Sequence, residues 1–211
     1  MIYLLRHGEV AQADPRRFIG HLDVPLSGHG EAQCVAQARR LSGASLAALY
    51  TSDLLRARRS GEIIGVPHGL TPTLVPDLRE MAMGRWEGLT ADEIRRREPE
   101  AFADWMSRIG EFPFPEGESV PDLLARAGPA FDAIVAKADG AAIAIVAHGG
   151  TNSVLLTHLL DVRPVPWEWL RFESQLAAYS VAEARPLGER GMVWSLQNFN
   201  EVDHLRAAGL R

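Results

Sequence analysis

The sequence predicts an α/β protein with an open sheet, and three observations carry the prediction. The runs 2–5, 46–50 and 142–147 are short, apolar and free of charge, as strands buried on both faces are. Each ends in a polar turn: Arg6-His7-Gly8, Thr51-Ser52-Asp53 and His148-Gly149-Gly150. Helical periodicity follows the second and third turns. In open α/β sheets chemistry gathers at the carboxyl ends of strands, so His7, Arg56 and His148 are delivered towards one edge.

In chain order, residues 2–5 form the first strand, and residues 28–42 carry helical spacing that stops near Ser42-Gly43. A second strand at 46–50 leads through a cap region at 51–53 into a helix ending near Ile64. Residues 90–109 read as one helix, opened by Thr90 with Glu93 three positions on, the pattern of a capping box. Pro113, Pro115 and Gly117 mark the loop before a second long helix at 119–138. After the strand at 142–147 comes a helix from about 151 to 160. Residues 176–182 and 192–196 read as strands, joined by a hairpin around Pro186-Leu187-Gly188. No repeat or low-complexity tract interrupts the chain, and 211 residues with 46% apolar content suit a single domain over 1–211.

The formal charge of −5 supplies no general field for nucleic acid or an acidic membrane, so anion binding must come from a local cluster. Cys34 is the only cysteine and lies in a helical pattern, which predicts a structural thiol in a reducing compartment. The opening apolar run is cut by Arg6 and His7, too early for a signal segment, and no stretch approaches the ~18 apolar residues of a membrane span. A cytoplasmic protein without nucleic-acid or membrane partners is expected.

His7 and His148 each sit between a buried strand and glycine, where little bulk covers the imidazole. The other five histidines, His21, His29, His68, His158 and His204, read as structural. A guanidinium at a strand's end, as in Arg6, needs an anion partner, and phosphate suits its fork. Arg58 and Arg59 read as helix-surface charges, and Arg95-Arg96-Arg97 as a solvated face beside Glu98 and Glu100. HxH and HExxH spacings are absent and no carboxylate pair stands beside the histidines, which disfavours a two-metal phosphatase. No metal or other cofactor is expected. Arg6 and Arg56 disfavour a second cation nearby, so His7 should titrate below the usual ~6.5 and be a base at neutral pH.

In this order the segments LLRHGEV, SDLLRARRS, LREMAMGRWEGL, FPEGES and VAHGG, spanning residues 2 to about 205 with the ending NEVDHL, resemble the histidine phosphatase superfamily in its phosphoglycerate-mutase-like branch. The resemblance implies a three-layer α/β/α sandwich with a mostly parallel central sheet. It also implies that His7 is phosphorylated, that Arg6, Arg56 and His148 cradle the phosphoryl group, and that Glu80 donates a proton to the leaving oxygen and then activates water. Gly20, in RFIGHLD, and Gly149 are implied at the substrate. NEVDHL matches a family-like ending around Asn200 and His204. Where the family has asparagine six residues after the motif histidine, this chain has Ala13, which removes one phosphate contact.

The mutases of this family are longer and carry a tyrosine and a lysine soon after the glutamate. Here Met83 and Trp86-Glu87-Gly88-Leu89 follow Glu80, and Lys137 is the only lysine. Length, GRWEGLT and PEGES resemble the family's small phosphatases, those acting on α-ribazole 5′-phosphate in cobalamin nucleotide-loop assembly and on sugar phosphates among them, with RFIGHLDVPLS leaning to the former. The expected partner is a small phosphorylated metabolite, and a homodimer is allowed. Phosphoglycerate mutase, a metal-dependent phosphatase and a silent phosphate-binding module are the alternatives. Arg85 and Trp86 are candidates for touching the non-phosphate part of the substrate, Trp86 equally for packing. Phe112, Phe114, Trp105 and Met106 read as helix packing, with an apolar cover over the pocket as the alternative.

Overall fold

The computed structural model describes residues 1–11, 15–162, 172–188 and 191–210. In chain order the elements are β1 (Ile2–Arg6), α1 (Gly28–Leu41), β2 (Ala48–Thr51), α2 (Leu55–Gly65), β3 (Thr73–Leu74), α3 (Ala91–Arg97), α4 (Pro99–Ser107), α5 (Val120–Ala138), β4 (Ile143–Ala147), α6 (Gly149–Leu159), β5 (Tyr179–Pro186), β6 (Met192–Glu201) and α7 (Asp203–Ala207). Among the described residues the strands form one sheet in the order β3-β2-β4-β1-β5-β6. β1 to β4 run parallel, β5 and β6 antiparallel.

Strand alternation sends successive side chains to opposite faces and builds two cores. Ile2, Leu4, Ile143 and Ile145 join Phe131 and Ile134 of α5 and Val154 and Leu155 of α6. Leu5, Ala144 and Val146 join Ala38 and Leu41 of α1 and Ile64 of α2. The result is a three-layer α/β/α sandwich with a mostly parallel sheet, whose adjacent parallel strands β1 and β4 bring their carboxyl ends together.

Several element boundaries differ from the sequence reading. The helix expected over 90–109 breaks at Glu98, at φ −135 and ψ 63, because the ring of Pro99 disfavours helical backbone in the residue before it. Pro99 then opens α4 where a missing N–H is harmless. The Thr90/Glu93 capping box forms as expected. Thr51 belongs to β2 and does not cap α2. The first amide of that helix, Leu55 N, donates instead to Asp23 Oδ1 at 2.7 Å, a partner distant in sequence. α6 begins at Gly149, with His148 as its N-cap. β5 starts at Tyr179 rather than 176, because residues 174–178 form a turn with Ala177 at φ +52. β6 extends beyond 196 to Glu201.

Trp86 lies at the centre of an aromatic cluster. Its ring stacks on Phe112 at 5.2 Å and meets Phe114 at 5.4 Å, Phe18 at 5.9 Å and Trp105 at 5.9 Å edge-on. With 0% exposure it packs α4 and the 112–114 segment onto the body of the protein, and the reading of Trp86 as core holds over the substrate-contacting one. Met106 points outward at 55% exposure, so it neither packs nor covers. Trp86→Ala should therefore destabilise the fold by about 3–5 kcal/mol, read as a lower urea midpoint with an unchanged slope.

Candidate active site

The site is built around the last residues of β1. Its backbone is pinned on two sides: Arg6 N donates to Ala178 O at 2.9 Å and His7 N to Ala147 O at 3.2 Å, while His7 O accepts from Ala177 N at 3.0 Å. The Arg6 guanidinium donates through Nη1 to Ser174 O. His7 is 6% exposed, and its Nδ1 lies 2.7 Å from Gly8 O. A carbonyl only accepts, so Nδ1 carries the proton.

His148, fully buried, stands at the end of β4 with its ring 5.1 Å from that of His7 at 61°. Arg56, in the first turn of α2 and 2% exposed, donates to Leu22 O at 2.8 Å and Gly20 O at 2.7 Å. Gly20 adopts φ +49, and a Cβ there would fall 2.1 Å from Glu87 Oε1, so only glycine turns its carbonyl onto Arg56 in this space.

Glu80 receives amide hydrogens from Gly150 at 3.1 Å, Thr151 at 3.2 Å and its neighbour Met81 at 2.9 Å. Its carboxylate therefore sits on the positive end of α6, one turn from His148. An added Cβ would meet Arg6 Cζ at 3.2 Å on Gly149 and Glu80 Oε1 at 2.6 Å on Gly150, so backbone alone separates the cation from the acid.

Electrostatics follow from this burial. The His7 pKa is held well below the usual value, first by desolvation and then by Arg56 and Arg6. His148 is held well below it too, by desolvation and then Arg56, His7 and Arg6. Both rings are neutral at pH 7. With its proton on Nδ1, His7 leaves the Nε2 lone pair unprotonated. Burial lowers Arg6 and Arg56 from the ordinary arginine value while Glu80 opposes the shift, and both remain cations. Among the described residues Arg6 Nε and both His148 ring nitrogens are buried without a hydrogen-bond partner. Orphaned buried polar atoms cost about 1–3 kcal/mol each, and their convergence here suits a small anion.

The structure thus gathers Arg6, His7, Arg56, Glu80 and His148, with Gly20 and Gly149 against the two arginines. Arg85 is not drawn into this group: its guanidinium meets Glu98 at 3.3 Å and Glu116 at 3.8 Å. The 3-10 turn Gly84–Trp86 buries Trp86 and turns Arg85 to the acidic outer side. Ala13 lies outside the described residues. Sequence reasoning missed His21, whose Nε2 lies 2.7 Å from Glu80 O, and Arg126, which donates to the same carbonyl at 3.2 Å. It also missed Asn152, which donates to Leu5 O at 3.0 Å across the β1 end. Their signals are contacts with backbone carbonyls, which leave no pattern in sequence. Among the described residues no group of three or more His, Cys, Asp or Glu side chains is placed to hold a metal ion. No helix among them is long and apolar enough to cross a membrane.

The arrangement defines a class: an α/β protein that presents a neutral imidazole and fixed cations to a phosphoryl-sized anion at the ends of parallel strands. The chain belongs to the histidine phosphatase superfamily (branch 1), whose sequence profile matches residues 2–197. Phosphoglycerate mutase-like protein 4 of Arabidopsis thaliana is 33% identical over 99% of this chain and 88% of its own length. Among solved structures, Bacillus stearothermophilus YhfR superposes with a TM-score of 0.86 at 30% identity, covering 97% of this chain and 98% of that one. A mycobacterial glucosyl-3-phosphoglycerate phosphatase does so at 0.80 and 30%, covering 94% and 97%.

A pH prediction follows. The folded-state pKa of both rings lies below the unfolded value near ~6.5, so below that pH the unfolded chain binds more protons and stability falls. Unfolding free energy should be level above about pH 7 and decline between about pH 6.5 and 5. In urea titrations His148→Asn should flatten part of that decline. A decline parallel to the parent's would mean that His148 is not the neutral buried ring described.

Proposed function

We propose that this protein hydrolyses small phosphomonoesters through a covalent phosphohistidine on His7. One observation carries the reading: a buried, neutral imidazole with Nδ1–H fixed on Gly8 O, its Nε2 free, set beside two arginines and a second neutral imidazole. His7 Nε2 attacks phosphorus as the ester P–O bond breaks. Charge spread over the equatorial oxygens is met by Arg6, Arg56 and His148, preorganised donors of the kind phosphoryl transfer needs. The leaving oxygen takes a proton from Glu80. Water then attacks the phosphohistidine, giving its proton to Glu80, and inorganic phosphate leaves with His7 restored.

Hydrolysis is preferred to mutase chemistry because a mutase must grip a second acidic group on its substrate. Lys137, the only lysine, lies in the last turn of α5, and Arg85 is engaged by Glu98 and Glu116. The printed name of the Arabidopsis relative favours the mutase reading, and that of the mycobacterial structure favours a phosphatase. Substrates to compare are α-ribazole 5′-phosphate, sugar phosphates and glycerate phosphates. The buried Arg6 and Arg56 cations repel a divalent cation, which supports a metal-independent reaction.

His7→Ala should abolish both turnover and acid-labile phosphoenzyme, whereas stable labelling of that variant would remove His7 as the nucleophile. Glu80→Gln should slow phosphoenzyme formation from alkyl esters far more than from p-nitrophenyl phosphate, within the ~10²- to 10⁴-fold range of general acid help. Rapid-quench measurement separates this step from water attack, and equal losses would leave Glu80 a positioning role only. Activity should survive exhaustive chelation. Loss with EDTA and recovery with Zn²⁺ or Mn²⁺ would place the protein among the metallophosphatases.

A further inference from the structure

The turn at 174–178 touches both Arg6 and His7, and its other side is held by residues that no catalytic step uses. On the catalytic side, Ser174 O accepts from Arg6 Nη1, Ala178 O from Arg6 N at 2.9 Å, and Ala177 N donates to His7 O at 3.0 Å. On the far side, Ala177 O accepts from Gln37 Nε2 at 2.9 Å and from His204 Nε2 at 3.0 Å. Gln37 Nε2 also reaches Ala178 O at 3.1 Å, and Asn200 Oδ1 accepts from Gln175 N at 2.7 Å.

Ala177 is the one apolar side chain among the described residues with a left-handed backbone, φ +52, and it is wholly buried. A non-glycine residue in that region costs of order 1 kcal/mol and persists only where its surroundings over-determine it. Here they do: the two peptide units flanking Ala177 are held separately, its N–H by His7 O from the front and its C=O by Gln37 and His204 from behind. Burial is the first cause of His204's lowered pKa, so the ring is neutral, and its single N–H must lie on Nε2 to meet a carbonyl. Asn200 has φ +55, a conformation asparagine tolerates, at the irregularity in the β5–β6 pairing just before β6 ends and α7 carries His204 to the turn.

We propose that His204 and Gln37, supported by Asn200, are positioning residues that set the backbone of Arg6 and His7 by holding Ala177 in its left-handed state. This is a role for the C-terminal segment in the phosphoryl transfer step. It rests on the reading of His7 as the nucleophile. Neither side chain touches the substrate; they act through one carbonyl, two bonds of chain from the amide that fixes His7 O.

The test compares the parent with His204→Phe, which keeps a ring of similar size without the donor, with His204→Gln, whose amide can still donate, and with His204→Phe/Gln37→Leu. The rate constant of phosphohistidine formation is measured by rapid quench with saturating p-nitrophenyl phosphate, beside KM and thermal unfolding. His204→Phe should lower the rate constant by about tenfold and the double variant by up to ~10²-fold, as small misplacements of reacting groups do. KM should stay within about threefold, because Arg56 and His148 are anchored by other elements. His204→Gln should restore the rate to within about threefold of the parent. Should the double variant fail to fold, His204→Phe alone decides, since Gln37 still holds the carbonyl there. A folded His204→Phe with a lower Tm and an unchanged rate constant overturns the proposal, as does a failure of His204→Gln to recover what His204→Phe loses. His7→Ala that still forms acid-labile phosphoenzyme would instead overturn the nucleophile reading, so the two failures are distinct.

Discussion

The parallel pairing of β1 with β4 is the constraint on which the site depends. Arg6 lies opposite Ala147, so the residues that follow, His7 and His148, leave the sheet side by side. Side chains alternate along each strand, and a slip of one residue would exchange the two cores as well as separate the imidazoles. The register is held by apolar packing on both faces of the sheet. Stability and chemistry are thus coupled through the same few strand positions, Leu4, Leu5, Ile145 and Val146.

Two guanidinium groups and two imidazoles crowded at one sheet edge repel one another, and the fold offsets that repulsion with dipoles. Arg56 is met by the carbonyls of Gly20 and Leu22, and Arg6 by that of Ser174. The remaining offset is Glu80, the carboxylate that opposes the lowering of both arginine pKa values. Desolvation does the rest by removing the proton from each histidine, which lowers the local charge while leaving two nitrogens fit to face an anion.

The parts of the molecule that obey local rules were legible in the sequence. β1 and β4 announce themselves by unbroken apolar runs, and α3 by Thr90 with Glu93 three residues on; the matching box of Ser119 and Asp122 at α5 went unread. The group of Arg6, His7, Arg56, Glu80 and His148 was legible only as a combination, since each residue alone is common on a protein surface. What escaped were features set by distant partners. Asp23 caps α2 from another loop, His21 grips the Glu80 carbonyl across 59 positions, and Ala177 is bent by bonds to α1 and α7. The break at Glu98 was local and readable in principle, because Pro99 is in plain view; the helical periodicity on both sides masked it. Arg85 erred the other way: its place in a motif suggested the substrate, and two nearby acids claimed it.

The two glycines that open α6 have a consequence for the charges of the site. Arg6 lies against Gly149 and Glu80 against Gly150, so a bare stretch of peptide backbone is what stands between the cation and the acid. A methyl group added at the start of α6 would press on these two side chains, meeting Arg6 Cζ at 3.2 Å from Gly149 and Glu80 Oε1 at 2.6 Å from Gly150, and so would move the cation and the acid themselves.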